Sequence, residues 1–249
     1  MGELAGKTAL VIGATSGIGR QTAVRFVAEG AHVFVTGRRQ AELDELAAEY
    51  GSAVTAVRND VTNVAELDDL FDAIRARQRG LDVVVATAIG GSLATLEDLM
   101  LEHFDETFVG YLRGIVFAVQ KALPLLNAGA SVIVTGSTAT TRGTAAFGAY
   151  SAAKAALRQF VRVWAVELGP RGIRVNTVNP GPIETAALKS QAAGPEDVQR
   201  VLDAEAARVP LGRIGQPNEV AEAMVFLASD RASFVTGGEL FVDGAQGQA

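Results

Sequence analysis

The sequence predicts a single α/β domain built on a doubly wound parallel sheet of about seven strands, with helices on both faces. Three observations carry this reading. Short β-branched runs alternate with longer segments of helical spacing along all 249 residues. Apolar residues make up 49% of the chain, enough to bury strands on both faces of a sheet. No Pro-, Gly- or Ser-rich linker, composition break or internal repeat divides it, so residues 1–249 read as one unit.

The strands fall at Thr8 to Ile12, His32 to Thr36, Val54 to Val57, Val83 to Ala86, Ser131 to Thr135, Arg174 to Val178 and Glu239 to Val242. Each is short, and most are rich in β-branched residues, as interior strands of a parallel sheet are. Between them, Ile18, Thr22 and Phe26 are spaced to form one helical stripe, as are Leu67, Leu70, Phe71 and Ile74, and Val220, Met224 and Leu227. A further helix is expected over Gly148 to Leu168, with another long helix around Leu112 to Leu126. The stretch from Ile183 to Pro210 is the least regular. Prolines and a glycine bracket alanine-rich helical pieces there, which suits a flap over a site or an ordinary surface excursion.

Charge and composition narrow the function. A formal net charge of -6 leaves no basic stripe for nucleic acid. There is no cysteine, and His32 and His103 are too few for a histidine-rich metal site, so no metal is expected. No basic segment followed by an apolar signal core opens the chain, and no apolar run approaches transmembrane length; a cytoplasmic protein without membrane contact is the expectation.

The first strand runs into Gly13-Ala-Thr-Ser-Gly17-Ile-Gly19 and then a helix. Glycines at a strand-to-helix turn let backbone amides and a helix N-terminus approach a pyrophosphate, which makes Gly13, Thr15, Ser16, Gly17 and Ile18 candidate contacts in a Rossmann-type site. The second strand ends in Thr36-Gly37-Arg38-Arg39, where an acidic residue would bind a ribose 2′-hydroxyl. Two arginines there suit a 2′-phosphate, so NADP(H) is favoured over NAD(H). The alternative is that Arg38 and Arg39 merely open a solvated helix. In the expected helix, Tyr150 and Lys154 stand four apart on one face, where an ammonium would depress the phenol pKa and tune a proton donor. Ser137 lies thirteen residues upstream, just past a strand and thus at the carboxyl edge of the sheet.

These features together resemble the short-chain dehydrogenase/reductase family over nearly the whole chain. Further matches are Asn59-Asp60-Val61, Tyr150-Ser-Ala-Ala-Lys154, Asn179-Pro-Gly181 through Thr185, Phe234-Val-Thr-Gly237 and Val242-Asp-Gly244. The resemblance implies hydride exchange between a nicotinamide and a carbonyl or alcohol carbon, in the manner of a ketoreductase or alcohol dehydrogenase. Tyr150 would be general acid or base, Lys154 would tune it and bind the nicotinamide ribose, and Ser137 would hydrogen-bond the substrate oxygen. It places Asp60 and Val61 at the adenine, Ala88 beside the cofactor, and Pro180, Gly181, Ile183 and Thr185 along the nicotinamide. A homotetramer is implied, packed through the two long helices and the C-terminal segments. The substrate wall would include Ile89, Gly90, Ser137, Thr138, Ala139, Phe147, Tyr150 and Pro182; being mostly apolar, it suits a neutral or apolar ketone or secondary alcohol.

Three positions depart from the family pattern. Asn-Asn-Ala-Gly becomes Ala86-Thr87-Ala88-Ile89, and a side chain at the last position should be strained or narrow the pocket. The catalytic asparagine, which holds a water that relays protons to the lysine, becomes Tyr111. The threonine before the first glycine becomes Ile12. Two competing readings stay open: a dinucleotide-binding sensor or scaffold with impaired or altered catalysis, and a lyase or dehalogenase on the same fold.

Overall fold

The computed structural model describes residues 2–87 and 93–247. Seven parallel strands form one sheet: β1 (Thr8–Ile12), β2 (His32–Gly37), β3 (Val54–Arg58), β4 (Leu81–Ala86), β5 (Leu126–Thr135), β6 (Arg174–Pro180) and β7 (Glu239–Val242), in the order β3-β2-β1-β4-β5-β6-β7. The direction of winding reverses between β1 and β4, and the crevice beyond the carboxyl ends of the strands is where such a sheet receives a ligand.

Period-two alternation divides the central strands between two apolar layers. Ala9, Val11, Val83, Val85 and Ile133 face one side; Leu10, Ile12, Val84, Ala86, Val132 and Val134 face the other. Both sides are covered, and for this reason the strands read as unbroken apolar runs rather than alternating ones. On the first face lie α1 (Gly17–Ala28), α2 (Gln40–Tyr50) and α9 (Pro217–Ala228), whose Phe26, Leu43, Leu46, Val220, Met224 and Leu227 fill the core. On the second lie α3 (Val64–Ala76), α5 (Gly114–Ala122) and α6 (Gly148–Leu168), with Leu67, Leu70, Phe71 and Ile74 of α3 all buried. The helical stripes expected for α1, α3 and α9 are thus the faces that pack, and α6 has the expected bounds.

Strands β2, β3, β4 and β6 run one or two residues beyond their expected bounds, and two elements differ more. Strand β5 begins at Leu126 rather than Ser131, because Leu126 pairs with Leu81 before a register shift brings Ser131 opposite Val83. The helix expected around Leu112 to Leu126 is composite: α4 (Leu101–Phe108), a π-helical turn Val109–Arg113, α5, and a 3-10 turn Leu123–Leu125. That stretch, Leu101–Leu125, is long and apolar enough to cross a membrane by length and composition, contrary to the reading of the sequence. In the fold its Ile115, Ala118, Val119 and Ala122 are buried in the second apolar layer, which is the placement of a core helix. In the irregular stretch, α7 (Ala186–Lys189) and α8 (Val198–Ala206) contact each other beyond β6.

Candidate active site

The carboxyl edge of the sheet gathers the candidate residues from distant parts of the chain. After β1, Gly13 (φ 83°) and Gly17 (φ 53°) turn the backbone through conformations that favour glycine. A Cβ at Gly13 would stand 2.5 Å from Thr87, and one at Gly19 would stand 2.2 Å from the Gly13 carbonyl, so this turn is closed to side chains. Ser16 caps α1 without a side-chain hydrogen bond, leaving first-turn N–H groups for an anion. A Cβ at Gly17 would be 3.1 Å from Thr185 Cγ2, which brings the glycine turn against the segment after β6. Thr185 in turn accepts from the Leu188 N–H and caps α7.

Around the end of β2, Arg39 donates from Nη2 to Thr15 Oγ1 at 2.8 Å and pairs with Glu42 at 3.2 Å. Its guanidinium is therefore held over the glycine turn. Arg38 is exposed. The Asn59 N–H donates to the Gly37 carbonyl, and neither polar atom of its buried side-chain amide is paired among the described residues. Asp60 Oδ1 accepts from Thr62 N and Oγ1, fixing the adjoining turn, while Val61 packs under the start of α5 at Gly114. The closed glycine turn, the open helix end, the Arg39 guanidinium and the orphaned Asn59 amide fit a dinucleotide with its phosphates at α1.

Ser137 follows β5, is buried, and accepts from the Ala139 N–H at 3.1 Å. Helix α6 places Tyr150 and Lys154 on its buried side. Lys154 is 2% exposed, and its Nζ donates to the Thr135 carbonyl at 2.7 Å, two residues before Ser137. The half-buried Tyr150 ring meets Tyr111 edge to face at 5.1 Å and Phe147 at 5.7 Å. Burial pushes the Tyr150 phenol up to about 12, against a lowering hydrogen bond from Ser137; the Tyr111 phenol adds to the rise. Burial alone pushes Lys154 down to about 7.

The pKa pattern corrects the spacing argument. The Tyr150 phenol is raised rather than depressed, and burial lowers the amine of Lys154. Its Nζ turns to Thr135 and lies 4.9 Å from the Tyr111 ring centroid and 5.9 Å from that of Tyr150. Sharing one helix face brings the two side chains together, but desolvation of both outweighs the attraction between them.

Thr138 and Ala139 are buried beside Ser137. Thr138 Oγ1 donates to Gln246 Oε1 at 3.2 Å and Thr141 Oγ1 donates to the Gly247 carbonyl at 2.8 Å, so the C-terminal segment closes this loop from outside. Asp243 holds that segment by accepting from the N–H groups of Ala245 and Gly247. Nothing in the sequence singles out Gln246, and Asn59 stands out by burial rather than by residue type. Pro180 ends β6, and the Gly181 N–H donates to the Val242 carbonyl. Ile183 packs into the first apolar layer. Pro182 and Ile183 line a cleft of about 390 Å³ with Leu211, Phe241 and Gly244, whereas Ser137, Tyr150 and Lys154 do not. The Ile12 side chain is buried core, and its carbonyl accepts from the Thr87 hydroxyl. Ala88, Ile89 and Gly90 lie outside the described residues.

A parallel doubly wound sheet carrying a serine, a tyrosine and a lysine beside a closed phosphate turn defines a class of dinucleotide-dependent oxidoreductases. A family model described as enoyl-(acyl carrier protein) reductase matches residues 13–245. The chain is 41% identical over 248 residues to "Oxidoreductase asL5" of Sarocladium schorii, covering 99% of this chain and 98% of that one. It is 39% identical over 251 residues to a cis-4-hydroxycyclohexanecarboxylate dehydrogenase of Sinomonas cyclohexanicum, covering 98% of each. A solved short-chain dehydrogenase/reductase double mutant of Serratia marcescens superposes with a TM-score of 0.90 at 30% identity, over 98% of this chain and 99% of that one. The chain belongs to the short-chain dehydrogenase/reductase family and is an oxidoreductase, and the family uses nicotinamide dinucleotides.

Proposed function

We propose that this protein is an NADP(H)-dependent oxidoreductase that interconverts a ketone and a secondary alcohol, with Tyr150 as general acid and base. The observation that carries the reading is the convergence of Ser137, Tyr150 and Lys154 at the sheet edge. When bound, the nicotinamide supplies or accepts the hydride. Tyr150, protonated at neutral pH, gives its proton to the carbonyl oxygen during reduction and takes it back during oxidation. The Ser137 hydroxyl donates to the same oxygen as charge develops on it. Arg39 supports NADP(H), since a guanidinium fixed over the phosphate turn is placed to pair with a 2′-phosphate.

Aromatic edges of Tyr111 and Phe147 flank Tyr150, a wall suited to a flat or alicyclic neutral ketone. The name of the Sinomonas relative, a cis-4-hydroxycyclohexanecarboxylate dehydrogenase, agrees with the alicyclic ring, although its carboxylate is charged. The homotetramer is supported by the exposed apolar side chains Phe117, Phe160, Val163 and Val166 on α5 and α6; light scattering at a monomer mass would remove it. The cytoplasmic placement rests on the sequence alone.

The test is turnover. Purified protein is mixed with NADPH or NADH and a panel of cyclic and linear ketones, and nicotinamide absorbance is followed. Oxidation of NADPH with cyclic ketones, faster than with NADH, is expected. Tight NADPH binding without turnover on any ketone would leave a binding protein instead of an oxidoreductase acting on this class.

A further inference from the structure

We propose that Gln246 is a positioning residue for Ser137: through a buried hydrogen bond between the Gln246 amide and the Thr138 hydroxyl, the segment after β7 fixes the turn that carries the serine. The inference rests on the oxidoreductase reading for the role of Ser137, and concerns what holds that hydroxyl in place.

Ser137 stands between β5 and the 3-10 turn Thr138–Thr140, which it caps by accepting from the Ala139 N–H at 3.1 Å. The backbone before it is held by the sheet, where the Gly136 N–H donates to the Val178 carbonyl at 2.7 Å. The side chains after it are held from the far end of the chain. Thr138 Oγ1 donates to Gln246 Oε1 at 3.2 Å, and Thr141 Oγ1 donates to the Gly247 carbonyl at 2.8 Å. A Cβ at Gly247 would stand 3.0 Å from Thr138 Cγ2, so the two segments are packed against each other.

The last segment is shaped to turn Gln246 inward. Asp243 accepts from the Ala245 and Gly247 N–H groups at 2.9 and 2.8 Å, and the Gln246 N–H donates to the Asp243 carbonyl at 3.1 Å. Gly244 (φ 60°) and Ala245 (φ 73°) both take the left-handed region, which is sterically costly for alanine. Strain of this kind persists where surrounding contacts over-determine it, and it gathers at functional sites. Asp243 is wedged against the end of β6, since a Cβ at Gly181 would stand 2.8 Å from its Cα. The result is a glutamine only 3% exposed near the chain's end.

An apolar side chain could fill the same space, but an amide adds direction. The Thr138 hydroxyl must aim at Oε1, which sets the Thr138 rotamer and with it the start of the turn. The neighbouring Ser137 hydroxyl has two partners to meet, the Ala139 N–H and the Tyr150 phenol. A small shift of the turn misaims it at the substrate oxygen, a displacement that slows reaction more than it weakens binding.

Gln246→Met keeps the length and removes the amide; Thr138→Val keeps the shape and removes the hydroxyl. Both are compared with the parent, with their double variant and with Thr138→Ser. In the protein without cofactor, the Ala139 amide resonance reports the Ser137 side chain, because that N–H donates to its Oγ, and Ser137→Ala marks where the resonance goes when the bond is lost. Both single variants are expected to move it toward that mark, and Thr138→Ser to leave it with the parent. In turnover, kcat should fall about tenfold in each single variant, with NADPH binding and the ketone KM little changed. The double variant should be no slower than either, since both remove one bond. An Ala139 resonance unmoved in both single variants, a double variant slowed by the product of the two losses, or NADPH binding weakened as much as kcat would overturn the proposal. If the parent turns over no ketone while the Ala139 shifts come out as expected, the tie to the serine turn stands and the oxidoreductase reading falls.

Discussion

Replacing Lys154 by methionine should make the protein more stable at neutral and acid pH and less stable in alkali. The lysine is buried, and burial takes its pKa from 10.5 down to about 7. In the unfolded chain it titrates near its ordinary value, so between pH 7 and 10.5 the unfolded state binds more protons than the native one. Stability therefore rises with pH across that window, and the full cost of charging the buried amine is felt below it. That cost is about 5 kcal/mol. Methionine keeps the length and apolar stem but leaves the Thr135 carbonyl without its donor, at about 1–3 kcal/mol. Lys154→Met should thus exceed the parent by about 2–4 kcal/mol at pH 6, cross it at about pH 9, and fall below it at higher pH. Urea denaturation at fixed protein concentration and a series of pH values measures both curves. Parallel curves, with a difference independent of pH, would refute the lowering of the buried lysine's pKa.

Three further outcomes are expected. Tyr150→Phe should lower kcat by about 10²–10⁴-fold with NADPH binding retained, and a milder loss would move the proton donor elsewhere. Arg39→Ala should raise the KM for NADPH about tenfold or more and leave NADH nearly unchanged, because it removes a guanidinium placed over Thr15; equal effects on both would remove the 2′-phosphate contact. Gly136→Ala should lower stability by about 1–3 kcal/mol, seen as a drop in Tm, since the added Cβ would stand 1.9 Å from Asn179 Oδ1 and 2.6 Å from Thr177 Cγ2.

The sheet was legible because its signal is local. Strands buried on both faces must be apolar throughout, and helices with one buried stripe must repeat at helical spacing, so both patterns survive in a single sequence. The positions of Ser137, Tyr150 and Lys154 followed from the same periodicities. Their electrostatics did not, because the rise of the Tyr150 phenol comes first from its burial and not from four-residue spacing. The broken helix before α5 escaped for a related reason. Its residues have ordinary helical character, and the π-turn arises where Gly114 seats against Val61, a contact between segments more than fifty residues apart. Gln246 was invisible on any local criterion: its burial comes from contact with Thr138, a residue 108 positions away.

That last contact bears on the order in which the molecule can assemble. Strands β1 to β6, the glycine turn and α6 precede β7 in the chain, but the Thr138 loop is covered only after Asp243 has folded the segment beyond β7 back across it. During synthesis this loop would stay open until that segment has emerged, so an incomplete chain would hold Thr138 and Thr141 in a wetter setting. Faster amide exchange at Thr140 and Thr141 in a chain cut after Asp243 would register this; unchanged exchange would mean that the wall forms without its closing strap.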